Sequence, residues 1–222
     1  MSEVDSETLI KPVDLRGILK YVPLFRGHVF VLCLDGAIVD HDNFYNILLD
    51  IAVLKNLNVK VILVFGIAKQ FEEILEKVDF STSVNIRKNE PVSKEMIEVA
   101  IQACAKVSHS IMVGMSRCSL KCAQTNVVRS KRLGIVGGLD QCESGKFDKV
   151  DNDAIQRLFD DDVIPVFQPI AYSKDGSALL INANELAAEL AVSVSASKLM
   201  YVTRYPGLII KGNVDRNLSR DK

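Results

Sequence analysis

The chain has 222 residues, in which 27 Lys and Arg residues stand against 28 Asp and Glu residues, so its formal net charge is −1. Hydrophobic residues make up 48% of the sequence, a proportion that excludes a disordered or collagen-like chain and predicts a sizeable core. The balanced charge excludes a strongly basic nucleic-acid binder, because no surplus of cations is present to neutralise phosphates.

The N-terminal part predicts a tail, a helix and a strand, in that order. Residues 1–12 are polar and are expected to form a flexible tail. A short amphipathic helix is predicted over about 13–24, where apolar residues recur at helical spacing. The continuous apolar run 29–34 (VFVLCL) then predicts a buried parallel strand that ends in a turn at Asp35 and Gly36.

The next elements continue an alternation of helices and strands. A helix is predicted over 43–57, with Asp42 or Asn43 as its cap. A second buried strand over 59–65, closed by Gly66, leads into a helix over 70–78. This order is typical of an open doubly wound α/β sheet, in which ligands bind at the carboxyl ends of the strands.

The second half of the chain is less regular. A helix is predicted over 93–107, beginning at Ser93, and the stretch 110–150, rich in Gly, Ser and Lys, predicts hairpins and loops. Further predicted elements are helices over 151–159 and 182–195, strands over 163–167 and 198–203, and a polar C-terminal tail over 208–222. The sequence therefore predicts one domain over 13–207.

Three features concern the compartment. The longest apolar run, 61–68, is shorter than the roughly 20 residues that span a bilayer, and the acidic N-terminus has no apolar leader region. The five cysteines are scattered and odd in number, which is typical of reduced thiols in the cytoplasm. We therefore expect a soluble cytoplasmic domain with no membrane segment, no nucleic-acid partner and no metal site.

Several residues are candidates for contact with a ligand. Gly36 and Gly66 end the first two strands, where glycine lets backbone N–H groups approach an anion, although a tight turn without a ligand gives the same pattern. Arg87 could pair with a carboxylate or could be an ordinary surface arginine. Asn182 and Asn184 either cap the helix that begins there or face a ligand. The residues alone therefore favour an α/β domain that is compatible with a small anionic ligand.

Several short motifs also follow one another in a characteristic order. They are YVPLFRGHVFV at 21–31, LDIAVL at 49–54, VILVFG at 61–66, NIR at 85–87, CESGK at 142–146, VDNDAI at 150–155 and ELAAELA at 185–191. In this order they resemble the amino-acid kinase family, in its N-acetylglutamate synthase and kinase branch, over about 13–207. The likeness is closest to the kinase-fold domain of bacterial N-acetylglutamate synthases. The resemblance implies an open doubly wound, mainly parallel sheet between helices, C-terminally shortened, and a role in arginine biosynthesis.

The chain departs from the kinases of this family at the positions that carry catalysis. Cys33 matches the strand lysine that neutralises the transferring phosphoryl group, and Asp35 matches the first glycine of the kinase pair. Asn184 matches the catalytic aspartate, and the glycine-rich phosphate loop is reduced to Gly66 followed by Ile67. The resemblance therefore implies that the chain has no catalytic residue for phosphoryl transfer.

The resemblance instead implies a regulatory or scaffolding role. Tyr21 lies in a segment that resembles the N-terminal helix of the family, which carries a tyrosine and supports oligomer formation and arginine sensing. Arg87 matches a position that contacts the acetylglutamate carboxylate in the kinases. The acetyl-CoA chemistry of the synthases belongs to a further domain that residues after Gly207 are not expected to supply. We therefore expect a homo-oligomer that binds L-arginine or N-acetyl-L-glutamate and works with a separate acetyltransferase, with acetyl-CoA acting only through that partner.

Two alternatives stay open. The first is an N-acetylglutamate kinase that uses ATP and Mg²⁺, with a displaced catalytic lysine such as Lys69 or Lys198. The second is a purely structural partner subunit.

Overall fold

The computed structural model describes residues 23–77, 91–205, 207–210 and 213–215. Two candidate residues, Tyr21 and Arg87, lie outside these ranges, as does most of the helix predicted over 13–24. In chain order the strands are β1 (Val29–Leu34), β2 (Lys60–Phe65), β3 (Cys122–Gln124), β4 (Val128–Arg132), β5 (Ile135–Val136), β6 (Leu139–Asp140), β7 (Gly145–Val150), β8 (Ile164–Phe167), β9 (Ile170–Tyr172), β10 (Ala178–Leu180), β11 (Lys198–Val202), β12 (Leu208–Ile210) and β13 (Asn213–Asp215). The helices are α1 (Gly36–Val39), α2 (Phe44–Asn56), α3 (Ala68–Lys77), α4 (Lys94–Arg117), α5 (Asn152–Asp160) and α6 (Ala183–Ser193).

A five-stranded parallel sheet forms the centre of the domain, in the order β11-β1-β2-β8-β3. Successive side chains of a strand point to opposite faces, and the apolar strands of this sheet therefore build two cores. Phe30, Leu32 and Leu34 pack with buried residues of α2, α3 and α4, whereas Val31 and Cys33 pack with buried residues of α5 and α6. This arrangement confirms the predicted doubly wound sheet between helices.

Helix α4 ends ten residues later than the helix predicted over 93–107, so the prediction of loops from residue 110 onward was wrong for 110–117. The helix begins where predicted, because the Ser93 side chain accepts a hydrogen bond from the Met96 N–H. Gly114 lies inside this helix and permits close packing: a Cβ there would lie 2.3 Å from Cδ1 of the fully buried Leu48. By length and composition alone α4 could cross a membrane, and nine of its residues are buried against the rest of this domain.

The remaining strands form smaller sheets. A four-stranded sheet has the order β10-β9-β4-β7, with β4 antiparallel to β7 and parallel to β9, and β5 pairs with β6 in a hairpin. The stretch 208–222, expected to be a polar tail, contains a second hairpin instead, in which β12 pairs antiparallel with β13. The two strands pair with each other, and the polar composition of this stretch does not predict that pairing.

Candidate functional site

A cleft of about 470 Å³ opens at the carboxyl edge of the central sheet. It lies where the chain leaves β1 at Asp35, β2 at Gly66 and β11 at Thr203, as expected for an open α/β sheet. The residues that line it are Cys33, Leu34, Asp35, Gly66, Ile67, Ala68, Val92, Leu133, Ser144, Gly145, Pro169, Leu180, Ile181, Asn182, Ala183, Asn184, Glu185, Thr203 and Tyr205. Three of the sequence candidates, Gly66, Asn182 and Asn184, are among them.

Gly36 was expected to contact a ligand, but it lies outside the cleft. It is buried as the first residue of α1, directly behind Gly66. The predicted turn after β1 is a helix start, because the Asp35 carboxylate accepts a hydrogen bond from the Ala37 N–H at 3.1 Å. A Cβ on Gly36 would lie 2.5 Å from the Gly66 carbonyl oxygen, so glycine is needed here for close packing of two chain segments.

Cys33 lies on β1 with its side chain toward α6. Its Sγ donates a hydrogen bond to the Asn184 Oδ1 at 3.5 Å and lies 3.7 Å from the Ala183 carbonyl oxygen. Burial, and secondarily the charge of Asp35, raise the pKa of the Cys33 thiol to about 12. Cys33, which the resemblance places at the strand lysine of the kinases, is therefore an uncharged donor at neutral pH. It is paired with Asn184, which the resemblance places at the catalytic aspartate.

Asn182 is the N-cap of α6. Its Oδ1 accepts hydrogen bonds from the Asn184 N–H at 2.9 Å and the Glu185 N–H at 3.3 Å. The capping interpretation of Asn182 is therefore correct, and its ligand role stays a prediction. Asn184 is held from two sides, since its main-chain carbonyl also accepts a hydrogen bond from the Tyr201 hydroxyl at 3.2 Å.

The ionised side chains of the cleft are acidic. Asp35 and Glu185 line it, whereas no Lys or Arg occurs among its lining residues in the part of the chain that the structure describes. A bound nucleoside triphosphate requires cationic side chains or metal ions to offset its negative charge. The described wall of the cleft supplies no such side-chain cation.

The two lysines suggested as displaced catalytic groups lie elsewhere. Lys69 contacts Asp40 at 2.9 Å and Glu73 at 3.7 Å, and the hydrogen bond to Asp40 raises the pKa of Lys69. Lys198 is the exposed first residue of β11, five residues before Thr203 at the cleft. At about 3.3 Å per residue, it lies roughly 16 Å from the cleft edge. Neither lysine lines the cleft.

Part of the cleft was missed by sequence reasoning. One wall comes from the connection between β4 and β7 and from the first residue of β7, through Leu133, Ser144 and Gly145. Ser144 accepts a hydrogen bond from the Val92 N–H at 3.3 Å and forms a bridge with Leu180. The motif at 142–146 was noted only as part of the resemblance, and no local periodicity indicates that it folds over the sheet edge.

The accessibility and pKa of the thiols predict their reactivity. With iodoacetamide at about pH 8, we expect Cys142, which is exposed, to be alkylated first, and Cys33 and Cys104 to react at least a hundredfold more slowly. A pKa near 12 leaves only about one Cys33 thiol in 10⁴ ionised at this pH, and burial also blocks access. Mass spectrometry of peptides over a time course measures the order. Alkylation in urea, where all five thiols are accessible, is the control, and equal rates for Cys33 and Cys142 in the folded chain would contradict the buried geometry.

Comparison with known proteins gives three kinds of match. Residues 28–220 match the amino acid kinase family. The chain is 32% identical over 203 residues to the amino-acid acetyltransferase of Pasteurella multocida, covering 87% of this chain and 45% of that protein. A second match, to the amino-acid acetyltransferase of Vibrio cholerae, is 32% identical and covers 95% of this chain and 49% of that protein. The chain thus spans about half the length of these relatives.

The solved structures agree in fold. N-acetylglutamate synthase from Neisseria gonorrhoeae, complexed with coenzyme A and N-acetyl-glutamate, superposes with a TM-score of 0.82 at 21% identity, over 90% of this chain and 47% of that chain. The same enzyme complexed with coenzyme A and L-arginine gives a TM-score of 0.78 at 19% identity, over 89% of this chain and 48% of that chain. At these identities the structural matches support the fold alone.

Proposed function

The chain belongs to the amino acid kinase family, and from this premise we propose that it is a regulatory or scaffolding domain of the N-acetylglutamate synthase type. In this proposal it binds an amino acid, L-arginine first, and transfers no phosphoryl group. It acts in the cytoplasm, in arginine biosynthesis, as part of a homo-oligomer that works with an acetyltransferase. The relatives named amino-acid acetyltransferase support the pathway.

The observation that carries the proposal is the charge of the cleft. Phosphoryl transfer depends on positive charge placed at the phosphates, which is worth several kcal/mol of barrier. The cleft presents Asp35 and Glu185 and, among its described lining residues, no side-chain cation. At the two positions that matter most for the kinases, Cys33 and Asn184 form a neutral hydrogen-bonded pair.

Arginine is proposed as the ligand on two grounds. A relative of similar fold was solved with L-arginine and coenzyme A, and the chain matches relatives of the same branch over most of its own length. Tyr21 stays the candidate residue for arginine sensing or oligomer contact, and Arg87 stays a candidate for a ligand carboxylate. Gly66, Asn182 and Asn184 stay the candidates of the cleft, whereas Gly36 has a packing role behind Gly66.

A thermal titration tests the proposal. We expect L-arginine to raise the melting temperature saturably, since a ligand at 100 times its dissociation constant adds about 2.7 kcal/mol to the free energy of unfolding. For a chain of this size that is a rise of roughly 5–10 °C. D-Arginine and L-lysine are the controls for nonspecific effects of charge, and Tyr21→Ala is expected to weaken the response.

A coupled assay for ADP separates the proposal from its rivals. The chain at high concentration, with N-acetyl-L-glutamate, ATP and Mg²⁺, is expected to form no ADP above the rate without N-acetyl-L-glutamate. ADP formation that depends on N-acetyl-L-glutamate would establish the kinase instead. The absence of a thermal response to arginine, together with the absence of ADP, would favour the purely structural subunit.

A further inference from the structure

A row of two cations and a tyrosine crosses the small sheet and shares no residue with the cleft. Arg129 on β4 is the register partner of Lys149 on β7 and of Tyr172 on β9, in three adjacent strands. Register partners lie side by side on the same face of a sheet. The side chains of Lys149, Arg129 and Tyr172 therefore form one row across the sheet.

This row carries more positive charge than its surroundings offset. Directly opposed like charges destabilise a pair of strands, and Arg129 faces Lys149. No carboxylate within the described ranges lies within 4.0 Å of the Arg129 guanidinium. The neighbouring Asp148 contacts Lys131 at 3.0 Å. That hydrogen bond lowers the pKa of Asp148, and desolvation of the carboxyl opposes this effect. The positive charges of Lys131, Lys174 and Lys149 lower the pKa further. One carboxylate is thus shared among several lysines.

The row borders a recess of about 500 Å³ in volume. The recess is lined by Asn126, Arg129, Tyr172, Ser173, Lys174 and Gly176. The carboxylate of Asp175, in the turn beside the recess, accepts hydrogen bonds from the hydroxyls of Ser173 and Ser177. Gly176 has a φ of 85°, and a Cβ there would meet nothing within 4 Å, so the recess is open at this side. A small ligand can therefore reach Arg129 and Lys174 from solvent.

We propose that this recess binds a small anionic ligand through a phosphate group, held by Arg129 and Lys174 of its lining, with the charge of Lys149 beside Arg129 on the neighbouring strand. The guanidinium group donates two parallel hydrogen bonds to phosphate oxygens, and the lysines add point charges. A phosphate ester carries nearly two negative charges at neutral pH and so offsets more of the three cations than a single carboxylate does. The proposal is independent of arginine binding and of the cleft at the central sheet.

The test is a titration of the full ¹⁵N-labelled chain with pyrophosphate at low ionic strength, followed by NMR. We expect saturable shifts of the amides of Arg129, Lys149, Tyr172 and Gly176. The double variant Arg129→Gln with Lys174→Gln is expected to weaken binding at least tenfold. Lys94→Gln with Lys121→Gln removes the same charge from exposed lysines elsewhere and is expected to change binding less than twofold.

Four results would overturn the proposal. These are no saturable shift with pyrophosphate, equal weakening by both double variants, the same shifts with acetate at matched ionic strength, or shifts caused only by a hexaglutamate peptide. The last would mark the row as a surface for an acidic protein. If the Arg129 variant fails to fold, Lys149→Gln with Lys174→Gln replaces it, with the same tenfold loss expected, and binding within twofold of the unaltered chain counts against the site.

Discussion

Gly36→Ala is expected to destabilise the domain by about 3 kcal/mol, because its new Cβ has no room. The Cβ would lie 2.5 Å from the Gly66 carbonyl oxygen and 2.5 Å from the Oε1 of Gln70. The backbone at Gly66 is fixed by the hydrogen bond from its N–H to the Leu34 carbonyl at 2.8 Å. Gln70 is fully buried, and its amide donates to both the Gly36 carbonyl and Asp40, so it too has little freedom to move. Urea denaturation measures the change in the free energy of unfolding.

Gly66→Ala is the matched control. It is also a glycine at the end of a strand, but the nearest atoms to its Cβ lie 3.7 Å away, which is ordinary van der Waals contact. We expect it to change stability by no more than about 0.5 kcal/mol. Equal destabilisation by the two variants would show that the crowding at Gly36 is not the source of the effect. A ligand role of Gly66 would appear separately, as weaker binding in a chain of unchanged stability.

Cys33→Lys is expected to destabilise the domain by about 3 kcal/mol, since it places an ammonium group where the present side chain is only 3% exposed. Cys33→Met is the matched control, because it adds a long side chain without charge and separates the cost of size from the cost of charge. Lys and Met variants of equal stability would contradict the buried position of the Cys33 side chain.

Asn184→Asp is expected to restore part of the stability lost in Cys33→Lys. The Asn184 Oδ1 already accepts from Cys33 at 3.5 Å, so a carboxylate at this position lies beside the new ammonium group. We expect a coupling energy of at least about 1 kcal/mol in a double-mutant cycle measured by urea denaturation. A coupling energy near zero would mean that the two positions do not face each other in solution.

The apolar runs of the sequence were sufficient to predict the central sheet. Apart from Lys60 at the start of β2, β1 and β2 are continuous stretches of apolar residues, which are typical of strands covered on both faces. The caps at Ser93, Asp151 and Asn182 satisfy N–H groups within three residues, so they too can be read locally. Helix α4 was underestimated because the stretch 110–150 is rich in Gly, Ser and Lys, while the packing of Gly114 against Leu48 depends on a distant helix.

Only part of the candidate site could be predicted, because local patterns do not show which distant segments come into contact. The sequence by itself determined that the ends of β1 and β2 meet at one edge of the sheet, since parallel strands place their carboxyl ends together. Only the tertiary structure decided that Gly36 is a packing residue, that Cys33 and Asn184 are paired, and that the 142–146 segment covers the cleft. It likewise aligned Lys149, Arg129 and Tyr172. Each of these contacts joins residues that are far apart in the chain or in different strands, and its formation depends on register and packing, which local propensity does not encode.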